Sequence, residues 1–287
     1  MAPHCYSKVA LLVSTQDQAG MNIRSAVLEQ FPFGNTGESF GSNDIYSTRI
    51  AGKDILLFTL EQKTIEAEQV DSQIAGRFFD PDILIFLTRH QGSGNIQCLS
   101  CHAPGNWGPA EMGGEGGKLC VAPAGMLKLA SNALAKQAEG MGWQFSLEVT
   151  HHGPFVDTPA MFMEIGSTEK EWVIPEAGKA VARALKEVLT VHLEPKKTIF
   201  LVGGGHYSHY GEKVQLNSPF ACGHAIPKFM LEHLDMEMLR QALERTVSVE
   251  QPLVLLDWKG LGEHKARIRD MLTENEIPWD RSDKFWN

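Results

Sequence analysis

The sequence predicts an α/β fold, with a mainly parallel or mixed sheet flanked by helices. Strand-like and helix-like segments alternate along the chain, which is the order typical of a sheet whose strands are joined by helical crossovers. Segments such as DILIFL (82–87) are apolar at every position after Asp82, as expected of strands buried on both faces. Several strands also end in reactive polar side chains, which indicates a site at the carboxyl edge of the sheet.

Periodicity assigns the elements of the first half of the chain. The predicted strands and helices are, in order, strand 8–13, helix 18–31, strand 54–60, helix 64–78 and strand 81–90. Two glycine-containing stretches are predicted to be loops, 34–44 and 92–117. The second of these is long for a compact domain, so we expect it to be functional or mobile.

The second half continues the alternation. The predicted elements are strand 118–124, helix 125–142, strand 143–154, strand 161–166, helix 177–189, strand 196–207, helix 236–247, strand 251–258 and helix 262–277. STEKEW (167–172) is a capping box with Ser167 or Thr168 at the N-cap, and Pro175 interrupts the helical pattern after it. No repeat or linker is visible, so 1–287 is predicted to form one domain or two closely packed subdomains.

Composition restricts the class of protein. An apolar share of 43% and a charged share of 21% are typical of a globular chain with a sizeable core. No apolar run approaches the roughly 18 residues that span a bilayer, and the N-terminus lacks the pattern of a signal peptide. We therefore expect a cytoplasmic protein with no membrane partner.

A formal net charge of −9 makes the chain a poor general nucleic-acid binder, so any RNA contact needs a local basic patch. KGLGEHKARIR (259–269) carries four cations, Lys259, Lys265, Arg267 and Arg269, against the single acid Glu263. The alternative is that this run is an ordinary solvated helix face.

Cys98, Cys101 and His102 spell C-x-x-C-H, which indicates haem attachment, half of a zinc site, or ordinary thiols. Haem attachment usually requires an oxidising compartment, and no export signal is visible. The chain has five cysteines, an odd number, and no second C-x-x-C. We expect ordinary thiols and no haem.

Four strands end in reactive residues, in LTRH (87–90), VTHHGP (149–154), MEIGST (163–168) and VGGGHY (202–207). Because strand ends share an edge of a sheet, we expect one common site. The candidate metal ligands are His102, His151, His152, Glu164, His206 and His224, with His90 also at a strand end. A catalytic zinc needs about three protein ligands, and the sequence does not select among the candidates.

Individual residues leave alternatives open. Adjacent side chains on a strand point to opposite faces, so His151 and His152 share a site only if the strand has ended before them, as Gly153-Pro154 suggests. Otherwise one of them is a packed core histidine. Glu164 is a metal ligand, a general base, a clamp for an amino group, or an outward-facing acid.

The glycine run Gly203-Gly204-Gly205 allows the backbone to approach a ligand closely. It is not a dinucleotide-binding motif, and no helix is predicted directly after it. His206 and Tyr207 follow it, and such an imidazole and aromatic run is suited to stacking on a base. His224 lies further along, two residues after Cys222.

Together, VTHHGP, FMEIGSTEKEW, FLVGGGHY and the HAPGNWG loop resemble the archaeal- and plant-type D-aminoacyl-tRNA deacylases. The resemblance extends over most of the chain and is strongest from about 82 to 228. It implies hydrolysis of the ester that joins a D-amino acid to the terminal ribose of tRNA. It also implies two Zn²⁺ per subunit and a fold similar to peptidyl-tRNA hydrolase and nucleoside phosphorylase.

The resemblance also suggests site residues. We predict catalytic roles for His151, His152, Glu164, Thr168 and His206. We predict substrate-binding roles for Arg89, His90, Asn106, Gly203, Gly204, Gly205 and Tyr207. The family pattern includes His102 but not cysteines at 98 and 101, which again favours ordinary thiols.

The predicted mechanism has zinc or a histidine base activating water beside His151 and His152. Backbone N–H groups of the glycine run are expected to hold the oxyanion or the terminal phosphate, and Glu164 the α-ammonium group or a metal. The expected partner is tRNA charged with a D-amino acid, and the expected assembly is a monomer. The alternatives are another zinc-dependent ester or peptide hydrolase, a nucleoside phosphorylase-like enzyme, or a non-enzymatic RNA-binding or redox module.

Overall fold

The structure is a computed structural model that describes residues 6–92, 96–194 and 196–285. Its strands are β1 Lys8–Ser14, β2 Gly34–Phe40, β3 Asn43–Ile50, β4 Lys53–Leu60, β5 Ile83–Arg89, β6 Cys98–His102, β7 Gly105–Asn106, β8 Lys118–Leu119, β9 Gln144–Leu147, β10 Ala160–Gly166, β11 Thr198–Val202, β12 Ala221–Ile226, β13 Leu253–Leu256 and β14 Trp279–Arg281. Its α-helices are α1 Gln18–Gln30, α2 Val70–Ala75, α3 Ala124–Met141, α4 Glu169–Trp172, α5 Pro175–Thr190, α6 His209–Asn217, α7 Met236–Glu244 and α8 Lys265–Glu274.

The larger sheet has the order β2-β3-β4-β1-β5-β10-β6-β9. Its centre, β4-β1-β5-β10, is parallel, and β6 joins it antiparallel to β10. β1, β5 and β10 are buried along nearly their whole length, which explains their continuous apolar sequences. The β2–β3–β4 meander forms the other edge.

A second sheet has the order β12-β11-β13-β14 and is parallel throughout. Its strands therefore all end at one edge, the edge that carries the glycine run after β11. A backbone bridge between Glu148 and Tyr207 joins the segment after β9 to the segment after β11. The two sheets therefore meet where the predicted site residues lie.

Helices bury both sheets. One core packs α1, α3 and α5 against a face of the larger sheet, and a smaller core covers the opposite face around Phe58, Phe86 and Phe162. A third core lies between the smaller sheet, α7 and α8. α3 contacts β6 and β9 as well as β12, so a single helix packs against both sheets. Among the described residues, no helix combines the length and the apolar character that a bilayer crossing requires.

The predicted α/β class, with a mainly parallel or mixed sheet flanked by helices, is confirmed. The predicted loop at 34–44 is wrong, because β2 and the start of β3 form a hairpin there. Its side chains are mostly exposed and small or polar, so no alternating apolar pattern marks it. The predicted loop at 92–117 contains β6 and β7, and its residues 93–95 lie outside the described part.

Other boundaries also differ from prediction. The helix at 64–78 shortens to α2 after a 3₁₀ turn, and Pro175 starts α5 at its first position, where a missing N–H costs nothing. The strand predicted at 143–154 ends at Leu147. α6 does follow the glycine run, contrary to expectation, and β12 and β14 were also missed.

Candidate active site

Seven titratable side chains meet at the junction of the two sheets. They come from the ends of β5, β6 and β10 and from the segments after β9 and β11: His90, His102, Glu148, His151, His152, Glu164 and His206. We call this group the histidine chamber. Their polar atoms face one another because β6 runs antiparallel beside β10, which brings the end of β6 next to Glu164.

Three histidines of the chamber present the same ring nitrogen to one point. Nδ1 of His151 lies 2.8 Å from the Val149 carbonyl, and Nδ1 of His152 lies 2.7 Å from the Gly153 carbonyl. Nδ1 of His102 lies 3.2 Å from the Ala103 carbonyl. A carbonyl only accepts, so each Nδ1 carries the proton and each Nε2 keeps a lone pair.

Local backbone geometry makes this convergence possible. β9 has ended before His151, and His152 adopts the left-handed region at φ 48°. The two adjacent rings therefore lie on the same side, with centroids 4.3 Å apart, and His102 lies 4.4 Å from His151. His151 and His152 can therefore share one site, because the strand has ended before them.

Glu148 organises a second group. Its Oε2 lies 3.0 Å from Nδ1 of His90 and 2.9 Å from Nε2 of His206. Nε2 of His90 lies 3.0 Å from the hydroxyl of Tyr207. The carboxylate and the phenol therefore occupy the two ring nitrogens of His90, while 35% of the His206 side chain is exposed.

Glu164 lies between the two groups. Its Oε1 accepts a hydrogen bond of 2.7 Å from the Thr88 hydroxyl, and its Oε2 is 3.7 Å from Nε2 of His102 and 3.8 Å from Nδ1 of His90. Burial, and then the charge of Glu148, raise the pKa of Glu164 well above its usual value.

Burial and charge set opposite pKa shifts in the two groups. Burial lowers the pKa of His102 to about 4 and that of His152 to about 3, and with the charge of His152 it lowers the pKa of His151. Burial also opposes protonation of His90 and His206, but the hydrogen bond and charge of Glu148 outweigh it and raise both pKa values. Near pH 7 the first three imidazoles are therefore neutral, the state in which histidine binds metals.

Some hydrogen-bond acceptors in the chamber have no hydrogen-bond donor. Nε2 of His102 and Oε1 of Glu148 are buried and have no hydrogen-bond partner among the described residues. Nε2 of His151 faces the same carboxylate at 3.6 Å. Buried lone pairs that face one another repel unless a cation lies between them, so the donor set fits a divalent metal.

The possible ligand atoms form two groups with no residue in common. Within each group the ligand atoms lie within 4.8 Å of one another, as required to bind one ion: His102, His151 and His152 in the first, and His90, Glu148 and His206 in the second. A third combination, His102, Glu148 and Glu164, joins them. Three histidines, or two histidines and one glutamate, are both donor sets of catalytic zinc.

A cleft with a volume of about 100 Å³ leads from the surface to the chamber. His151, His152, Phe162 and Glu164 line its inner wall. Its outer wall is formed by residues of four loops, among them Gln16, Asp17, Lys63, Arg89, Gln91 and Met112. The chamber is therefore connected to solvent and is not a sealed polar core.

Arg89, Asn106 and Thr168, predicted at the site, lie around it. The Arg89 guanidinium stacks on Trp172 at 5.0 Å and lines the cleft. The Asn106 amide donates to the Gly113 carbonyl at 2.9 Å and so holds the glycine-rich loop. The Thr168 hydroxyl donates to Glu171 and caps α4, as the capping box predicted, so it is already committed to a helix terminus.

The glycine run and His224 differ more from expectation. Gly203 and Gly204 have φ of 102° and 93°, values that favour glycine. The Gly203 N–H donates to the Ile226 carbonyl, so it is not free to bind an oxyanion. His224 is fully buried away from the ligand groups, with Nδ1 3.0 Å from the Thr150 hydroxyl and Nε2 3.1 Å from the Cys120 carbonyl. Both of its ring nitrogens are thus engaged.

Glu148 is the site residue that sequence reasoning missed. It lies in QFSLEV, three residues before His151. This segment alternates polar and apolar residues, as a half-exposed strand does, whereas Glu164 is a single acid in the apolar segment MFMEIG. The sequence therefore does not distinguish Glu148 from an outward-facing acid.

Cys98 and Cys101 do not form a joint ligand. They are three positions apart on β6, so their side chains face opposite sides of the sheet. The Cys101 thiol lies 3.3 Å from the Ser131 hydroxyl on α3, and burial raises the pKa of both thiols to about 12. This geometry fits ordinary protonated thiols, and His102 contributes to the chamber without them.

Comparison with known proteins agrees with this architecture. A D-aminoacyl-tRNA deacylase of Pyrococcus furiosus is 33% identical over 269 residues, covering 92% of this chain and 96% of that protein. One of Thermococcus kodakarensis is 35% identical over 270 residues, with the same coverage. A crystal structure of a conserved protein of unknown function superposes with a TM-score of 0.87 at 26% identity, covering 97% of this chain and 96% of that one. The family model described as D-aminoacyl-tRNA deacylase matches residues 77–280, and the chain therefore belongs to the D-aminoacyl-tRNA deacylase family.

Proposed function

We propose that this protein hydrolyses the ester between a D-amino acid and the terminal ribose of tRNA, and that the histidine chamber is where this occurs. The observation that carries the assignment is the pair of ligand groups at the inner end of an open cleft. Membership of the family supports an aminoacyl-tRNA ester as the substrate. The D configuration of the amino acid is part of the proposal.

The proposed cofactor is Zn²⁺, two ions per chain. His102, His151 and His152 would hold one, and His90, Glu148 and His206 the other. When bound, zinc would polarise the ester carbonyl and lower the pKa of water. The support is the chemistry of the donors. His102, His151 and His152 are neutral imidazoles, Nε2 of His102 has no partner, and Glu148 brings a buried carboxylate with an unpaired oxygen to the second group. His90 and His206, whose pKa values Glu148 raises, would release their protons when the second ion binds.

Residues of the chain would move the protons. Glu164 lines the cleft and belongs to neither of the separate ligand groups, so we assign it to accept the proton of the attacking water. It would return that proton to the ribose oxygen that leaves. Thr88 holds Oε1 of Glu164 in place, which leaves Oε2 directed into the chamber.

Tyr207 would act through His90. Its hydroxyl fixes the imidazole on one side while Glu148 fixes the other. Such second contacts orient a ligand and support its affinity for the metal. The proposed place of action is the cytoplasm, and the proposed active form is a monomer.

The direct test is deacylation of D-Tyr-tRNA and L-Tyr-tRNA by the purified protein, with and without a chelator. The proposal predicts rapid release from the D-ester, slow release from the L-ester, and loss of activity on chelation that added zinc restores. His151→Ala should reduce kcat/KM for the D-ester by at least about 10²-fold.

Equal rates for the two enantiomers would contradict the proposed preference for the D-ester. Full activity after exhaustive chelation would contradict the proposed role of a metal. The matched control is His192→Ala, a surface histidine outside the chamber, which should leave both rates unchanged.

A further inference from the structure

A second surface feature lies beside the chamber, at the carboxyl edge of the smaller sheet. The chain turns there after β11, β12 and β13, and the turns contact one another. The N–H of Lys228, after β12, donates to the Gly204 carbonyl at 2.9 Å. A Cβ on Gly260, after β13, would lie 2.8 Å from the Gly204 nitrogen. The glycine run that leads to His206 thus forms the centre of a continuous shelf.

Three exposed or half-exposed lysines border this shelf, Lys228, Lys259 and Lys265. Among the described residues, none of the three has a carboxylate within ion-pairing distance. Lys265 lies over the ring of Trp258 at 5.0 Å, and Arg281 lies over the same ring at 4.6 Å. The indole ring therefore positions the Lys265 ammonium group, and its face is not free for a base to stack on.

The other cations of the basic run are used within the protein. Both terminal nitrogens of Arg267 donate to backbone carbonyls, at Leu231 and Leu234. Arg269 is paired with Asp270. Arg281, which lies outside the run on β14, is paired with Asp283. Two lysines of the 259–269 run, Lys259 and Lys265, therefore stay available, and Lys228 joins them. Two acids of the same turns, exposed Glu263 and half-buried Asp257, offset two of these three charges.

An exposed aromatic side chain completes the shelf. Phe229 follows Lys228 directly and is 58% exposed, among the most exposed large apolar side chains that the structure describes. Lysines that track a phosphate backbone, combined with an aromatic side chain on which a base stacks, are the usual elements of a single-strand nucleic-acid surface. On a chain of net charge −9, a local excess of unpaired lysines is the feature that a polyanion would need.

We propose that this shelf, formed by Lys228, Phe229, Lys259 and Lys265, binds the unpaired 3′ end of the tRNA substrate, with the lysines on its phosphates and Phe229 against a base. The inference rests on the proposed function, because it places the tRNA next to the chamber that receives the acylated terminus. The glycine run connects the two, since it borders the shelf and continues into His206.

The test measures binding of uncharged tRNA by fluorescence anisotropy as salt is raised, for the wild type and for K228Q/K259Q/K265Q. Three lost phosphate contacts should reduce the slope of log Kd against log salt by about 2, at roughly 0.7 per contact. Between about 50 and 200 mM salt, wild-type binding should therefore weaken about 20-fold more than binding of the variant. Phe229→Ala should raise Kd by at least about fivefold with the salt slope unchanged.

One control variant and one further measurement keep the result specific. Lys136→Gln removes an exposed lysine on α3 that is paired with Glu187, and it should change neither Kd nor slope. The ratio of kcat/KM for D-aminoacyl-tRNA to that for D-aminoacyl-adenosine should fall at least about fivefold in the triple variant.

The outcomes separate this inference from the proposed function. Unchanged Kd, slope and ratio in the triple variant, or an equal loss in Lys136→Gln, would overturn the shelf while leaving the deacylase intact. If neither ester is hydrolysed by the wild type, the proposed function fails, and the anisotropy data still decide whether the shelf binds RNA.

Discussion

Two fully buried histidines, His102 and His224, differ in one respect. Both have side chains sealed from solvent, and burial lowers the pKa of each to about 4. Both ring nitrogens of His224 have partners, the Thr150 hydroxyl and the Cys120 carbonyl. Nδ1 of His102 has one, but its Nε2 has none and faces the lone pairs and carboxylates of the chamber.

The difference indicates that burial alone does not distinguish a structural histidine from a functional one. A satisfied imidazole contributes to stability because its hydrogen bonds replace those lost to water. An unsatisfied one costs free energy in the isolated chain, and proteins retain such groups where a ligand compensates. Sequence reasoning placed both residues among the metal candidates, and only the hydrogen bonds separate them.

The largest expected difference is in activity. His102→Ala removes a chamber ligand and should lower kcat/KM for D-aminoacyl-tRNA by at least about 10²-fold, whereas His224→Ala should stay within about threefold per folded molecule. Steady-state deacylation, normalised to folded protein by circular dichroism, measures both. Comparable losses in the two variants would remove the distinction between them.

Stability should show the reverse order. His224→Ala breaks two buried hydrogen bonds and leaves a cavity, so it should lower the free energy of unfolding by about 2–4 kcal/mol. In chelated protein, His102→Ala should cost less, because it also removes a buried nitrogen that has no partner. Urea denaturation of both variants in chelator measures the difference. A larger loss for His102→Ala would contradict the account.

Glu164→Gln sharpens the comparison within the chamber. It removes a buried carboxylate whose ionisation is disfavoured by burial and by the charge of Glu148, so the chelated protein should become more stable. The assigned proton acceptor is lost at the same time, and kcat should fall by about 10²-fold or more. Thr88→Val, which removes only the hydrogen bond to Glu164, is the milder control. A fully active Glu164→Gln would reassign the proton transfer.

The smallest effect is expected at Tyr207. Tyr207→Phe keeps the ring and removes one hydroxyl contact to His90, worth about 1 kcal/mol. We expect activity to fall by severalfold and the zinc affinity of the second ligand group to weaken in parallel. Tyr210→Phe, on the same segment, is the matched control and should change neither. A loss of activity without any change in zinc affinity would place Tyr207 on the substrate instead.

Much of the fold could be predicted because buried strands such as β1 and β5 contain runs of five apolar residues and long helices such as α5 show strong periodicity. The β2–β3 hairpin could not, since its stability comes from backbone pairing and not from side-chain pattern. β12 was missed for a related reason: ACGHAI is buried but mixes small, polar and apolar residues.

The location of the site could be predicted from the sequence better than the contacts between its residues. Strand ends identified His90, His151, His152 and His206 because the carboxyl edge of a parallel sheet gathers them. The role of Glu148, the satisfied nitrogens of His224 and the capping role of Thr168 depend on distances between segments far apart in sequence. Those distances are set by tertiary packing, which periodicity does not report.

The central claim is that the chamber holds metal through His102 and its neighbours. Elemental analysis of wild type, His102→Ala and His224→Ala, each loaded with zinc and dialysed, tests it most directly. The account predicts about two zinc ions per chain in the wild type and in His224→Ala, and about one or fewer in His102→Ala. Equal metal content in all three proteins, or a fully active wild type that contains no metal, would contradict it.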